Sequence, residues 1–419
     1  MDLTGWFQQR GPAFVWQRGL RLLDRYGFST RKAAERAGRC LRRMIELGCR
    51  PTFFVPGMVA DRHPELIRGL AAEGANLGVH SYNHIDLRSI PPQEAVRQLK
   101  KGWDALAGLE VKATGFRCPY LSFNEAILPV LPAETFLYSS NQAVSCPTGL
   151  AGEGTVLEVV DRFYTPARSQ ELARLPYRRG GLLEIPVCVP DDIQLLDGYK
   201  VRPDRLGAVW VDMLREITAQ GELFNLMFHP ELADLCAGAF AELLGEAARP
   251  ESGVWITDLE EIARWWQERI KFEALVSREG TGWHLRLACS PRVTIVATGM
   301  PQAAFAPPQN QSLREISLPD PLPGIALAPD VAEADAEFLK DLGYLTWRTS
   351  NPSFYALHLN QHALERFGNR RELSDWILTC PAPLLRVAAW PDGKKAALAV
   401  TGDLDALSLM DYSARLWTN

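Results

Sequence analysis

The sequence predicts an α/β fold built on a parallel sheet, either open or closed into a barrel. Two observations carry this reading: short apolar, β-rich runs alternate with helical stretches, and several of those runs end on a chemically capable polar side chain. Residues 6–25 and 30–47 read as helices, the second opened by Ser29 or Thr30 and closed by Gly48. PTFFVPG at 51–57 is a strand stopped by Pro and Gly, followed by a helix from Pro64 to about Gly74. The unit repeats with a strand over 76–79 and a helix from Pro92 to Leu106, then a strand over 112–116 and a helical stretch near 124–131. Further on, residues 182–189 form an apolar strand ending in Pro190-Asp191-Asp192, and residues 223–228 another ending at His229. A helix from Thr257 to Lys271 opens on Thr257-Asp258-Leu259-Glu260, a capping-box pattern.

The alternation stops near residue 271, which sets the expected domain plan. Residues 1–271 form the main part of the barrel, and 272–300 a small β module with Trp283, Leu285, Leu287 and Cys289 on one face. Residues 301–330 read as a Pro-rich linker and 331–388 as a small mixed α/β region. In 389–419 a strand, KAALAV, runs into Thr401-Gly402-Asp403-Leu404-Asp405.

The bulk composition narrows the function. At 419 residues the chain is long enough for two or three cores, and a net charge of -5 offers no general attraction to nucleic acid or acidic lipid. Eight cysteines stand singly, with no CxxC pair, as reduced thiols would in a cytosol. No signal peptide or membrane-spanning run is read, so a cytoplasmic setting is expected.

Polar residues collect at strand ends: His80 after NLGV, Arg117 after ATGF, His229 after LFNLMF, and Asp403 after ALAVTG. In a parallel βα barrel such positions converge at the C-terminal face while lying far apart in sequence. His80 and His84, four residues apart in GVHSYNH, have the spacing of two imidazole ligands; a third ligand from elsewhere would leave positions open for water, as catalytic zinc requires. The spacing alone is weak evidence. His358 and His362 repeat it with no carboxylate motif nearby and are read as ordinary residues, as are His63 and His284.

Taken together and in order, PTFFVPG, GVHSYNH, GFRCPY and NLMFH resemble the polysaccharide deacetylases (NodB-like, carbohydrate esterase family 4) over residues 30–270. The resemblance implies a distorted, incomplete (β/α) TIM-like barrel and a divalent metal, zinc first, held by two histidines and an aspartate. It implies His80 and His84 as metal ligands, Arg117 as the group orienting a catalytic aspartate, the Tyr120 N–H as an oxyanion donor, and His229 as general acid. The family's first-strand aspartate pair is missing upstream, where only Asp2 and Asp24 precede the TFF strand. AALAVTGDLD at the other end looks like that strand, with Asp403 as base and Asp405 as third ligand. The expectation is therefore a circular permutation, with a strand-swapped dimer as a variant.

Two departures accompany the match. Gly402 replaces the usual aromatic before the aspartates, and Tyr138-Ser-Ser-Asn141 stands where an aspartate would tune the acid histidine, leaving Asp191 or Asp192 to supply that charge. The implied activity is removal of an N-acetyl group from a sugar or polysaccharide. The rivals are an allantoinase-like or formamide-cleaving amidohydrolase and a non-catalytic carbohydrate-binding homologue. An iron oxygenase with two histidines and a carboxylate is disfavoured, because it calls for neither Arg117 nor a second aspartate.

Overall fold

The computed structural model describes residues 29–131, 135–150, 164–300 and 312–417. The helix expected over 6–25 lies outside them. The first described helix, Arg31–Glu46, buries Ala33, Ala37, Cys40, Leu41 and Met44, one face at helical spacing, and gives way to Gly48 at φ +78. Ten strands follow in the main body: β1 Thr52–Val55, β2 Asn76–Val79, β3 Gly115–Phe116, β4 Tyr138–Ser139, β5 Ala143–Ser145, β6 Tyr177–Arg179, β7 Leu182–Glu184, β8 Val187–Val189, β9 Leu223–Phe228 and β10 Val254–Ile256. Between them run helices Gly57–Arg62, Pro64–Ala72, Pro92–Ala107, Pro203–Gln220 and Ala233–Ala247, and helix Leu259–Arg269 closes the series.

The later region holds β11 Glu273–Glu279, β12 Gly282–Ala288, β13 Ile295–Thr298, β14 Leu313–Leu318, β15 Leu322–Leu327, β16 Thr346–Arg348, β17 Tyr355–Leu359 and β18 Leu384–Val387. They make an antiparallel sheet β11-β12-β14, a pair β13-β18 and a parallel sheet β16-β15-β17. The last strand, β19 Ala396–Asp403, returns to the main sheet.

That sheet runs β5-β8-β9-β19-β1-β2-β3-β4-β7-β6, with β10 also paired to β19; the pairs are parallel except β6–β7. It curls into a half-barrel. β4 and β5 lie at opposite ends of the path yet are separated only by residues 140–142, and β7 and β8 only by 185–186. So few residues cannot span an open sheet. The changeover occurs at Pro186: the Ile185 N–H still reaches Ser139 O (2.8 Å), while the Val187 N–H reaches Gln142 O (2.9 Å) on the other side. Proline lacks the N–H that would be orphaned at such a switch.

β19 is the central strand. It pairs with β9 from Ala397 to Gly402, with β10 from Ala396 to Leu398 and with β1 from Thr401 to Asp403, and all eight of its residues are buried. Strands covered on both faces read as continuous apolar runs, which is why β1, β2, β9 and β19 are legible in the sequence.

Four expectations are corrected. The strand over 182–189 is two strands that serve opposite ends of the sheet. The strand over 112–116 shrinks to Gly115–Phe116. Within the region read as a linker over 301–330, the described residues carry β14 and β15: Pro319, Pro321 and Pro329 fall beside strand ends, and Pro323 lies at a register shift in β15 between Leu322 and Ile325. The helix expected from Thr257 starts at Leu259, capped by Asp258, whose carboxylate accepts the Glu261 N–H at 2.9 Å. β10 and helix Gly57–Arg62 were not anticipated, being short runs without a period to betray them. No helix among the described residues is long and apolar enough to cross a membrane.

Candidate active site and metal centre

The C-terminal ends of the central strands carry the site. His80 follows β2, Arg117 follows β3, His229 follows β9, and Asp403 is the last residue of β19. The His80–His84 segment is a tight turn in which Ser81 and His84 both take positive φ (58° and 56°), a costly backbone for non-glycine residues. It is held from within and from outside. Ser81 Oγ accepts the His84 N–H at 3.0 Å, and the Gly57 and Met58 N–H groups reach Ser81 O and Tyr82 O at 2.9 and 3.0 Å. Glycine is required opposite it at Gly102, where a Cβ would lie 2.5 Å from Ser81 O.

His84 Nε2 lies 2.9 Å from Asp405 Oδ1, and His80 Nε2 3.4 Å from the same oxygen. His80, His84 and Asp405 each offer one donor atom, all within 4.8 Å of one another. His80 Nδ1 pairs with the Arg117 carbonyl at 2.8 Å, which puts its proton on Nδ1 and leaves the Nε2 lone pair free for a cation. Tetrahedral zinc with ligands at about 2.1 Å separates its donors by roughly 3.4 Å. The two imidazoles and one carboxylate therefore fit that ion in type and spacing, and His80 fits it in tautomer as well.

Asp403 is paired with Arg117, Nη1 to Oδ1 at 2.8 Å, and its Oδ2 lies 3.8 Å from His80 Nε2. Arg117 is fully buried: Nη2 donates to Ser140 Oγ and Thr401 Oγ1, Nε donates to Ser140 O, and the guanidinium lies 4.3 Å from the Phe54 ring centre. Asn225 Nδ2 donates to Ser140 Oγ (3.1 Å) and to Pro186 O, tying this network to the bend between β7 and β8. Satisfied on every nitrogen, the arginine is a rigid cation aimed at one carboxylate.

His229 is gripped by Asp192, which accepts from its backbone N–H (2.8 Å) and pairs with Nδ1 (2.8 Å). Burial pulls that imidazole down; the charge and hydrogen bond of Asp192 outweigh it and hold the ring well above the usual histidine range. Asp191 instead accepts from Tyr164 Oη (3.1 Å) and the Gln194 N–H (2.7 Å), and burial pushes its carboxyl up to about 6. The oxygens of this second cluster are engaged by protein donors. It reads as a hydrogen-bonded cluster rather than a second ion site.

Of the two candidates for the charge beside His229, Asp192 is the one in contact. Asn141, in the place expected for that charge, accepts the Cys118 N–H at 2.6 Å and so sets the loop bearing Tyr120. Tyr120 takes φ 60°, and its ring meets His84 edge-on at 5.1 Å. His358 and His362 join neither cluster. Sequence reading missed Ser140, Thr401, Asn225 and Tyr164; the signal for Asn225 and Thr401 was a polar residue inside an otherwise apolar strand. His63 is not an ordinary surface residue either, since its Nε2 lies 3.0 Å from Asp411 Oδ2.

A family model described as polysaccharide deacetylase matches residues 31–134. The peptidoglycan deacetylase-like protein FGM2 of Gibberella zeae is 27% identical over 154 residues, 36% of this chain and 45% of that protein, so the chain spans about half the length of this relative. Among solved structures, a protein assigned as a polysaccharide deacetylase from Mycobacterium smegmatis is similar with a TM-score of 0.44, at 22% identity over 58% of this chain and 81% of that one. A family 4 carbohydrate esterase from Streptomyces lividans follows at TM-score 0.30 and 17% identity, over 52% and 81%. PuuE allantoinase is similar at TM-score 0.42 and 19% identity, over 56% and 74%. The segment matched by the polysaccharide deacetylase model carries His80, His84, Arg117 and Tyr120.

Proposed function

We propose that this protein is a metal-dependent deacetylase that hydrolyses the N-acetyl amide of a sugar or glycan. The observation that carries the reading is Asp405 set against His80 and His84 while Arg117 grips Asp403. In this reading residues 390–419 are the family's first strand and the start of its following helix, circularly permuted to the end of the chain; within the structure that strand lies in its own chain's sheet, between β9 and β1. The eight free cysteines favour a reducing, cytoplasmic setting.

His80, His84 and Asp405 would hold the ion, zinc by donor type. When bound, it supplies a Lewis acid that polarises the acyl carbonyl and lowers the pKa of water to about 7. Asp403 takes the proton of the attacking water. Arg117 holds that carboxylate in place through its Nη1–Oδ1 contact at 2.8 Å. The Tyr120 N–H faces the developing oxyanion. His229, its Nδ1 engaged by Asp192, gives its Nε2 proton to the departing nitrogen, a role worth on the order of 100-fold to 10,000-fold. Water, amide and the two transferred protons then balance as acetate and free amine.

The test is acetate release from N-acetylglucosamine oligomers by zinc-loaded protein. Asp403→Asn is expected to lose turnover by at least about 100-fold while retaining zinc, and Asp405→Asn to lose the zinc itself. Activity on allantoin or formamides in place of N-acetyl sugars would move the assignment to another C–N hydrolase.

A further inference from the structure

The turn bearing the two histidines and the turn bearing Asp405 must keep a fixed separation if both are to serve one ion. These come from segments more than 300 residues apart, and one short helix touches both. Gly57 and Met58, at the start of helix Gly57–Arg62, donate their N–H groups to the Ser81 and Tyr82 carbonyls of the histidine turn, and Asp61 accepts the Tyr82 hydroxyl at 2.8 Å. At the other end, Arg62 Nη1 and His63 Nε2 lie 2.9 and 3.0 Å from the carboxylate of Asp411.

Asp411 is itself the anchor of the Asp405 turn. Its Oδ2 accepts the Leu407 N–H (3.3 Å), two residues past Asp405, and the Ser408 hydroxyl (3.0 Å), while Ser408 Oγ accepts the Asp411 N–H (3.2 Å). Ser408 thus caps the start of helix Leu409–Trp417, and Asp411 in its first turn reaches back over the preceding turn. The near end of the turn is fixed separately, where the Leu404 N–H meets Phe54 O at 2.9 Å. The Asp411 side chain is 2% exposed, and its carboxyl lies below the usual range: burial opposes this, but the His63 partner and the turn's donors prevail.

We propose that Asp411 is a positioning residue for the metal site: with Arg62, His63 and helix Gly57–Arg62 it forms a brace that holds the Asp405 turn at ligand distance from His80 and His84. The inference rests on the ligand assignment above. Rigid support of this kind typically governs metal affinity by about 10-fold to 100-fold.

The experiment is zinc titration of full-length, metal-stripped protein against a chromophoric chelator, with melting of the metal-free forms measured alongside. Asp411→Ala is expected to weaken zinc binding about tenfold or more, and Arg62→Met with His63→Gln to weaken it in the same direction by less. Asp258→Ala serves as control, since it removes another buried helix cap remote from the ligands and is expected to lower melting with zinc affinity kept within about twofold. Asp411→Ala behaving like that control would overturn the brace and leave a purely structural cap. If Asp411→Ala does not fold, the Arg62/His63 double variant decides, and unchanged affinity there overturns the proposal. A parent protein that binds no zinc would remove the ligand assignment itself, an outcome visible before any variant is made.

Discussion

His229 shows how one carboxylate decides what a buried histidine does. Burial drives the ring toward neutrality and Asp192 reverses it, so Asp192→Asn is expected to move the basic limb of the kcat/KM profile to lower pH, by about one unit or more. An unmoved limb would take the acid role from His229. Asp191 carries the opposite sign. Its folded value of about 6 lies above the roughly 4 of an unfolded carboxyl, so the folded chain holds the extra proton between those values and stability falls as pH rises through that window. Asp191→Asn should therefore melt above the parent at pH 8, with the gap closing as pH falls to about 4. An equal gap at both pH values would contradict this account of the Asp191 charge. The site residues at strand ends were legible because each apolar run stops on them. Asp192 was separable from Asp191 only by geometry, since adjacent carboxylates look alike in sequence.

At the scale of the element, β19 explains a departure that the sequence posed without answering. A Cβ at Gly402 would lie 2.8 Å from the Phe53 ring and 3.1 Å from that of Phe228. The two phenylalanines fill the room that an aromatic would need, so Gly402→Val is expected to cost about 1–3 kcal/mol in urea unfolding. Strands buried on both faces were readable as apolar runs; β7 and β8 were misjudged for the same reason. An apolar run says that a segment is buried, not that it stays straight, and only the split pairing across Pro186 reveals the bend. The short strands β3, β4 and β10 have too few residues for any period to register.

For the whole molecule, the order of the chain and the order of the sheet are different things. The later sheets intervene between helix Leu259–Arg269 and β19 in sequence, yet they pack on the back of that helix, where Trp265, Trp266 and Trp390 share a core with Leu285, Leu287 and Leu385. A chain ending at residue 389 would lack the strand between β1 and β9 and is expected not to fold, as judged by circular dichroism and melting. A rearranged gene placing residues 390–419 ahead of residue 1 is expected to keep the parent's zinc affinity. The measurement that tests the central claim most directly is anomalous diffraction at the zinc edge from crystals of the zinc-loaded protein. The account predicts one peak bonded by His80, His84 and Asp405 at about 2.0–2.2 Å; a peak elsewhere, or one that leaves Asp405 out, would contradict it.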